Sequence, residues 1–207
     1  KDGIIRYSLN SDATLNGMTT FANTATWVTY LYNTGTGDVP AGATFSIYNG
    51  VTPETYAPSR YLKLSCTTDF QPQFALKLPA DQYPAANGPY TFSMKVKVDN
   101  FGTIPDKSGA TVEFKNGAAL DEAADAITAD TEGYITRSYT IDGADLSDEF
   151  RIGLLFATGD LYIADLVVKD KNGTVKYALN WDDTLFGMTT FANTATWVTY
   201  LYNTGTG

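Results

Sequence analysis

The chain of 207 residues contains no histidine and a single cysteine. Without histidine, the commonest general base, the Ser-His-Asp triad and most zinc sites are excluded. With one cysteine, no disulfide can form within these residues. Cys66 ends the run Tyr61-Leu-Lys-Leu-Ser-Cys66, in phase with Leu62 and Leu64, and so reads as a small buried hydrophobe rather than a reactive thiol. Positive charge is scarce too: 14 Lys and Arg stand against 23 Asp and Glu, a formal charge of −9. Phosphate neutralisation needs clustered Lys and Arg, so nucleic acid and anionic membranes are excluded as expected partners. No apolar run approaches the length of a membrane span.

What is present suits a β-protein. The chain is 43% hydrophobic and 18% charged, enough for a core and far from a disordered composition. Apolar residues recur with period two. Phe92, Met94, Val96 and Val98 share one face of a run, with Ser93, Lys95 and Lys97 on the other. Phe150, Ile152, Leu154 and Phe156 do the same opposite Arg151. Further strands are expected near 3–9, 26–32, 43–48, 61–67, 73–78, 110–115, 134–141 and 160–168. Turn signals such as Asn49-Gly50, Asn87-Gly-Pro89, Asn116-Gly117 and Lys171-Asn-Gly173 separate them. Only residues 118–129 have helical composition, with Leu120, Ala123, Ala124 and Ile127 on one face, and a short surface helix is expected there. Many short strands at regular spacing predict an all-β fold, an antiparallel β-sandwich of jelly-roll type with at most one short helix.

Residues 17–37 recur letter for letter as residues 187–207, a period of 170. The match extends backwards: Lys1 to Asn10 lines up with Lys171 to Asn180, and 29 of 37 positions agree in all. The expected organisation is one module at 1–170 and the start of a second tandem copy at 171–207, as a piece of a larger modular protein. Residues 1–37 and 171–207 then compete for one slot. Either 1–37 fills it and 171–207 pairs elsewhere, or 171–207 enters a neighbouring chain as a swapped strand.

Three segments together resemble the jelly-roll carbohydrate-binding modules of families 4, 9 and 22: Tyr61 to Leu78, Gly88 to Lys97, and Arg151 to Leu166 with its closing Leu161-Tyr-Ile-Ala-Asp165. The tandem copies resemble the paired modules inserted in family 10 xylanases of gut and rumen Bacteroidetes. The resemblance implies an extracellular or cell-surface module, attached to a catalytic domain, that binds a polysaccharide in a cleft on one sheet. By position it implies an aromatic platform at Phe70 followed by Gln73, and a cleft arginine at Arg151. It implies a structural calcium near Asp165, which the oxygen-rich turn at Asp12 would join. Leu155 replaces a polar cleft residue common in such modules.

The residues add to this. A neutral polysaccharide offers C–H faces to aromatic rings and hydroxyls to amides, carboxylates and guanidinium groups. In 73–78 the core phase of Phe74, Leu76 and Leu78 turns Gln73 outward. Glu113 lies outward between Val112 and Phe114, and Arg151 points away from the Phe150 face, so the three converge if their strands share a sheet. Counting places Phe70 on the core phase, but Pro72 interrupts the run and frees the phase before it. Trp27 and Tyr83 are the further candidate sugar platforms. Trp181 replaces Ser11 of the first copy and reads as local packing.

The function expected on these grounds is non-catalytic binding of a plant β-glycan, with xylan foremost. The alternative is a structural or adhesive spacer at a cell surface. An enzyme is disfavoured because the acids gather in loop-like stretches, and no strand carries the alternating Glu-x-Asp-x-x-Glu of jelly-roll glucanases.

Overall fold

The computed structural model describes residues 31–32, 42–51, 58–68, 70–121 and 124–203. Among them the chain is an all-β sandwich with no α-helix, as the period of two predicts. The first sheet runs β1 (Leu31–Tyr32), β12 (Trp197–Asn203), β4 (Phe70–Lys77), β9 (Glu149–Leu155), β6 (Thr111–Asn116) and β7 (Ala118–Ala119). The second runs β2 (Ala43–Val51), β3 (Pro58–Cys66), β10 (Ala157–Lys169), β5 (Tyr90–Thr103) and β8 (Ile135–Ile141), with β11 (Val175–Ala178) added to β10. All pairings are antiparallel except β1 with β12.

The core forms where the two inner faces meet. Phe92 of β5 stacks on Phe150 of β9 with ring centroids 4.5 Å apart, joining the sheets near their middle. Phe74 of β4 takes the edges of Phe45, Phe191 and Trp197 at 5.2, 4.9 and 6.2 Å. Offset and edge-on contacts of this kind add to the burial of large rings. Cys66 is buried in the same core, as its phase requires.

The second copy fills the disputed slot, in its own chain. β12 pairs along the whole of β4, from Trp197↔Leu76 to Asn203↔Phe70. Trp197 is fully buried, and its Nε1 donates to the Tyr177 hydroxyl at 2.6 Å, which donates to Asp182 at 3.0 Å. Arg60, buried in β3, donates through Nη1 to the carbonyls of Leu179 at 2.7 Å and Asp182 at 2.6 Å. Its backbone N–H is taken by Asn180. Of the first copy, only Leu31 and Tyr32 are described. They pair in parallel with Leu201 and Tyr202, their own counterparts one period later.

The helix expected over 118–129 is not formed. Asn116-Gly117 turns the chain with Gly117 at φ 71°, and Ala118–Ala119 folds back on Lys115–Asn116 as β7. Leu120 N–H donates to the Phe114 carbonyl, and Val112 N–H to that of Ile127, which is buried. An Asn-Gly hairpin and one anchored isoleucine override a composition rich in alanine. Residues 122–123 lie outside the described residues.

Two stability predictions follow from this packing. Trp197→Ala should lower the unfolding free energy by about 3–5 kcal/mol, since it empties a large buried site, and urea denaturation would measure it. Burial, with help from Tyr90, pushes the Tyr83 phenol up to about 12. Burial, then the charge of Asp182, raises that of Tyr177 as well. The fold thus favours the protonated phenols. Their stabilisation is complete below the unfolded tyrosine value of about 10. It is lost as pH rises through about 12. Circular dichroism followed through this window should show cooperative unfolding, and a flat signal would contradict it.

Candidate functional site

The register of the first sheet builds a continuous row on its outer face. Tyr200 of β12 is opposite Gln73 of β4, Gln73 is opposite Gly153 of β9, and Gly153 is opposite Glu113 of β6. Because residue 153 has no side chain, Gln73 reaches over it and donates through Nε2 to Glu113 Oε2 at 2.8 Å. A Cβ at Gly153 would come within 2.3 Å of the Pro72 carbonyl oxygen and 2.5 Å of Gln73 Cγ. Gln73 is only 4% exposed, and its Oε1 has no hydrogen-bond partner. A buried amide acceptor left unpaired costs about 1–3 kcal/mol, and with under 1 Å² of accessible surface this oxygen lies beneath the face, out of reach of a ligand on it.

The adjoining row is opposite in character. Ala75 is registered with both Val198 and Arg151, and Arg151 with Lys115. Ala75 leaves room for the Arg151 guanidinium to lie over the Tyr200 ring, 4.5 Å from its centroid. Arg151 also grips Glu149, with Nε and Nη2 both 2.9 Å from Oε2. The Tyr200 hydroxyl donates to the other Glu149 oxygen at 2.5 Å. Guanidinium, ring and carboxylate therefore brace one another, which fixes a long side chain that would otherwise lose rotamer freedom on binding.

Gln73, Glu113 and Arg151 thus meet on one face, as their phases predict. The aromatic expectations are corrected. Phe70 lies in the core, because β4 runs unbroken through Pro72 and the phase of Phe74 and Leu76 carries back to it. Proline is tolerated there because the β4–β9 ladder begins only at Gln73. Tyr83 is also buried, edge-on to Tyr90 at 5.6 Å, with no ring face free for a sugar. Trp27 lies outside the described residues; Trp197, in the identical stretch one period later, is core. Trp181, read as packing, is 73% exposed, and Phe186 is 81% exposed.

Asp12 also lies outside the described residues. Its counterpart Asp182 caps a 3₁₀ turn, accepting from the Thr184 N–H at 3.0 Å. Asp165, at φ 50° in a β10 bulge, is paired with Lys95 at 2.9 Å and with the Asn180 amide at 3.1 Å. Both neighbours bring nitrogen donors to the carboxylate, and one of them is an ammonium. Among the described residues no group of three or more acidic, Cys or His side chains gathers to hold a metal.

Sequence reasoning missed Tyr200, Glu149 and Gly153. The signal was present: in Trp197-Val-Thr-Tyr-Leu-Tyr202, placing Trp197 inward turns Tyr200 outward. Gly153→Ala should displace Gln73 and cost about 1–3 kcal/mol by overpacking. Thermal melting would show the loss, and an unchanged melting temperature would refute the close approach.

No protein-family model matches the chain, and no curated protein matches it.

Proposed function

We propose that the chain is a non-catalytic polysaccharide-binding module. It holds a plant β-glycan, xylan foremost, across the outer face of the first sheet and keeps an attached glycoside hydrolase on its substrate outside the cell. The observation that carries this reading is the Gln73–Glu113 pair, registered across Gly153 on that face in line with Tyr200. A sugar hydroxyl is a neutral donor of the right kind for the half-buried Glu113 carboxylate at its end. Tyr200 adds an aromatic ring beside it, and Arg151 and Glu113 add charged partners for further hydroxyls. Glu113 and Glu149 act as acceptors for Gln73, Arg151 and Tyr200, which is a positioning role and supports binding over hydrolysis. The resemblance to families 4, 9 and 22 favours the same substrate class, and two of its positions, Gln73 and Arg151, lie in this cluster.

Affinity electrophoresis in gels cast with soluble xylan, mixed-linkage β-glucan or mannan tests it. Xylan should retard the protein most, and Gln73→Leu should weaken the retardation by about tenfold in Kd, the equivalent of one buried hydrogen bond. If no polysaccharide slows migration, the reading fails. If xylan slows the Gln73→Leu and Arg151→Ala variants as much as the parent protein, binding survives and this site does not.

A further inference from the structure

We infer that the outer face of the second sheet is a second platform for an uncharged polysaccharide, built on a stripe of four tyrosines. The stripe crosses the sheet from edge to edge and shares no residue with the face described above. Tyr48 of β2 is registered with Tyr61 of β3, and their rings stack 4.9 Å apart at 17°. Tyr61 meets Tyr162 of β10 edge-on at 5.7 Å. Tyr162 is opposite Lys63 on one side and Lys97 on the other, whose ammonium groups lie 5.1 and 5.3 Å from its ring centre. Tyr134 stands one residue before Ile135, which is paired with Val96, and so comes beside Lys97 at the far edge. Its phenol is pushed up to about 12, by burial first and then by Tyr61 and Tyr162, as a member of the same cluster.

Three features select the occupant. The first is exposure. Cross-strand tyrosine pairs stabilise a sheet, but that gain needs covered rings. Tyr48 and Tyr134, at the two ends, are 48% and 44% exposed. The second is charge. Lys63 pairs with Asp160 at 3.3 Å, Lys97 with Asp99 at 2.7 Å and Lys95 with Asp165 at 2.9 Å. These pairs make the stripe neutral within a chain of net charge −9, which suits an uncharged ligand. The third is composition. The outward positions flanking the rings on neighbouring strands are mostly polar, Ser46, Ser65, Lys63, Lys95, Lys97 and Thr136, with Val167 farther along the sheet opposite Ser93. Rigid aromatic surface in a polar surround fits the alternating C–H faces and hydroxyls of a sugar chain, and a dry protein interface would want aliphatic anchors.

Isothermal titration of the full chain with xylohexaose and with cellohexaose tests the inference, with oligogalacturonate as the charged control. One neutral hexaose should bind at two sites per chain, and oligogalacturonate at none on this face. Tyr48→Ala with Tyr134→Ala should weaken one site by about tenfold and leave the Gln73 site intact. Both rings are half in water, so the variant should keep the parent circular dichroism spectrum. If it does not, Tyr48→Ser alone reads the same loss in smaller measure. Wild-type stoichiometry and affinity in these variants would overturn the inference. So would a concentration-dependent dimer that the variants abolish without any change in hexaose binding, since that would assign the stripe to a second copy of this chain. If Gln73→Leu leaves binding unchanged while the tyrosine variants weaken it, this platform stands and the Gln73 site falls. If neither hexaose binds, both fall.

Discussion

The docking of β12 against β4 is the constraint on which the rest depends. Trp197 is the largest fully buried side chain among the described residues, and its indole N–H has to find an acceptor inside the sandwich. Tyr177 and Asp182 supply one in series, and all three belong to the second copy of the repeat. Once Trp197 is fixed inward, the period of two leaves Tyr200 no choice but the outer face, opposite Gln73. A core requirement thus delivers a surface ring to the candidate site. Arg60 strengthens the same attachment from the other sheet by giving its buried guanidinium to two carbonyls of that copy, at the turn leading out of β11.

The site itself is organised by what is small. Gly153 and Ala75 sit in adjacent rows, and each leaves space that a longer neighbour crosses. Gln73 crosses Gly153 to reach Glu113, and Arg151 lies over Ala75 against Tyr200. Gln73, Glu113, Glu149, Arg151 and Tyr200 are held in place by one another. Only the Gln73 acceptor remains unsatisfied. Side chains braced in this way have little rotamer freedom left to lose.

Strand content and facing were legible in the sequence because both follow from local alternation. The expected strands at 43–48, 61–67, 73–78, 110–115, 134–141 and 160–168 all lie on observed ones, give or take a residue at the ends. Gln73, Glu113 and Arg151 were legible for the same reason. The failures share a different cause. Residues 118–129 have helical composition, but backbone pairing to β6 decides their shape, and pairing is not written in composition. Phe70 was misplaced by giving Pro72 the power to reset the phase, when a proline beyond the end of one ladder disturbs nothing. Tyr200 and the tyrosine stripe escaped because each depends on register between strands distant in the chain. Tyr48, Tyr61, Tyr134 and Tyr162 become neighbours only when β2, β3, β10, β5 and β8 lie side by side.

Charge ties the two faces together. The chain carries nine more acids than bases, yet neither face shares in that excess. On the first, Glu113 and Glu149 stand with Arg151 and Lys115. On the second, Lys63, Lys95 and Lys97 are each paired with an aspartate. Among the described residues, exposed acids such as Asp81, Asp106, Asp142 and Asp145 lie on the loops and edges around them. An acidic rim keeps a protein soluble and repels polyanions, while a neutral, aromatic face neither attracts nor repels an uncharged chain at a distance. Recognition on such a face has to come from contact, through ring stacking and short hydrogen bonds. Rigid rings on both faces and a braced arginine on the first are groups suited to such contact.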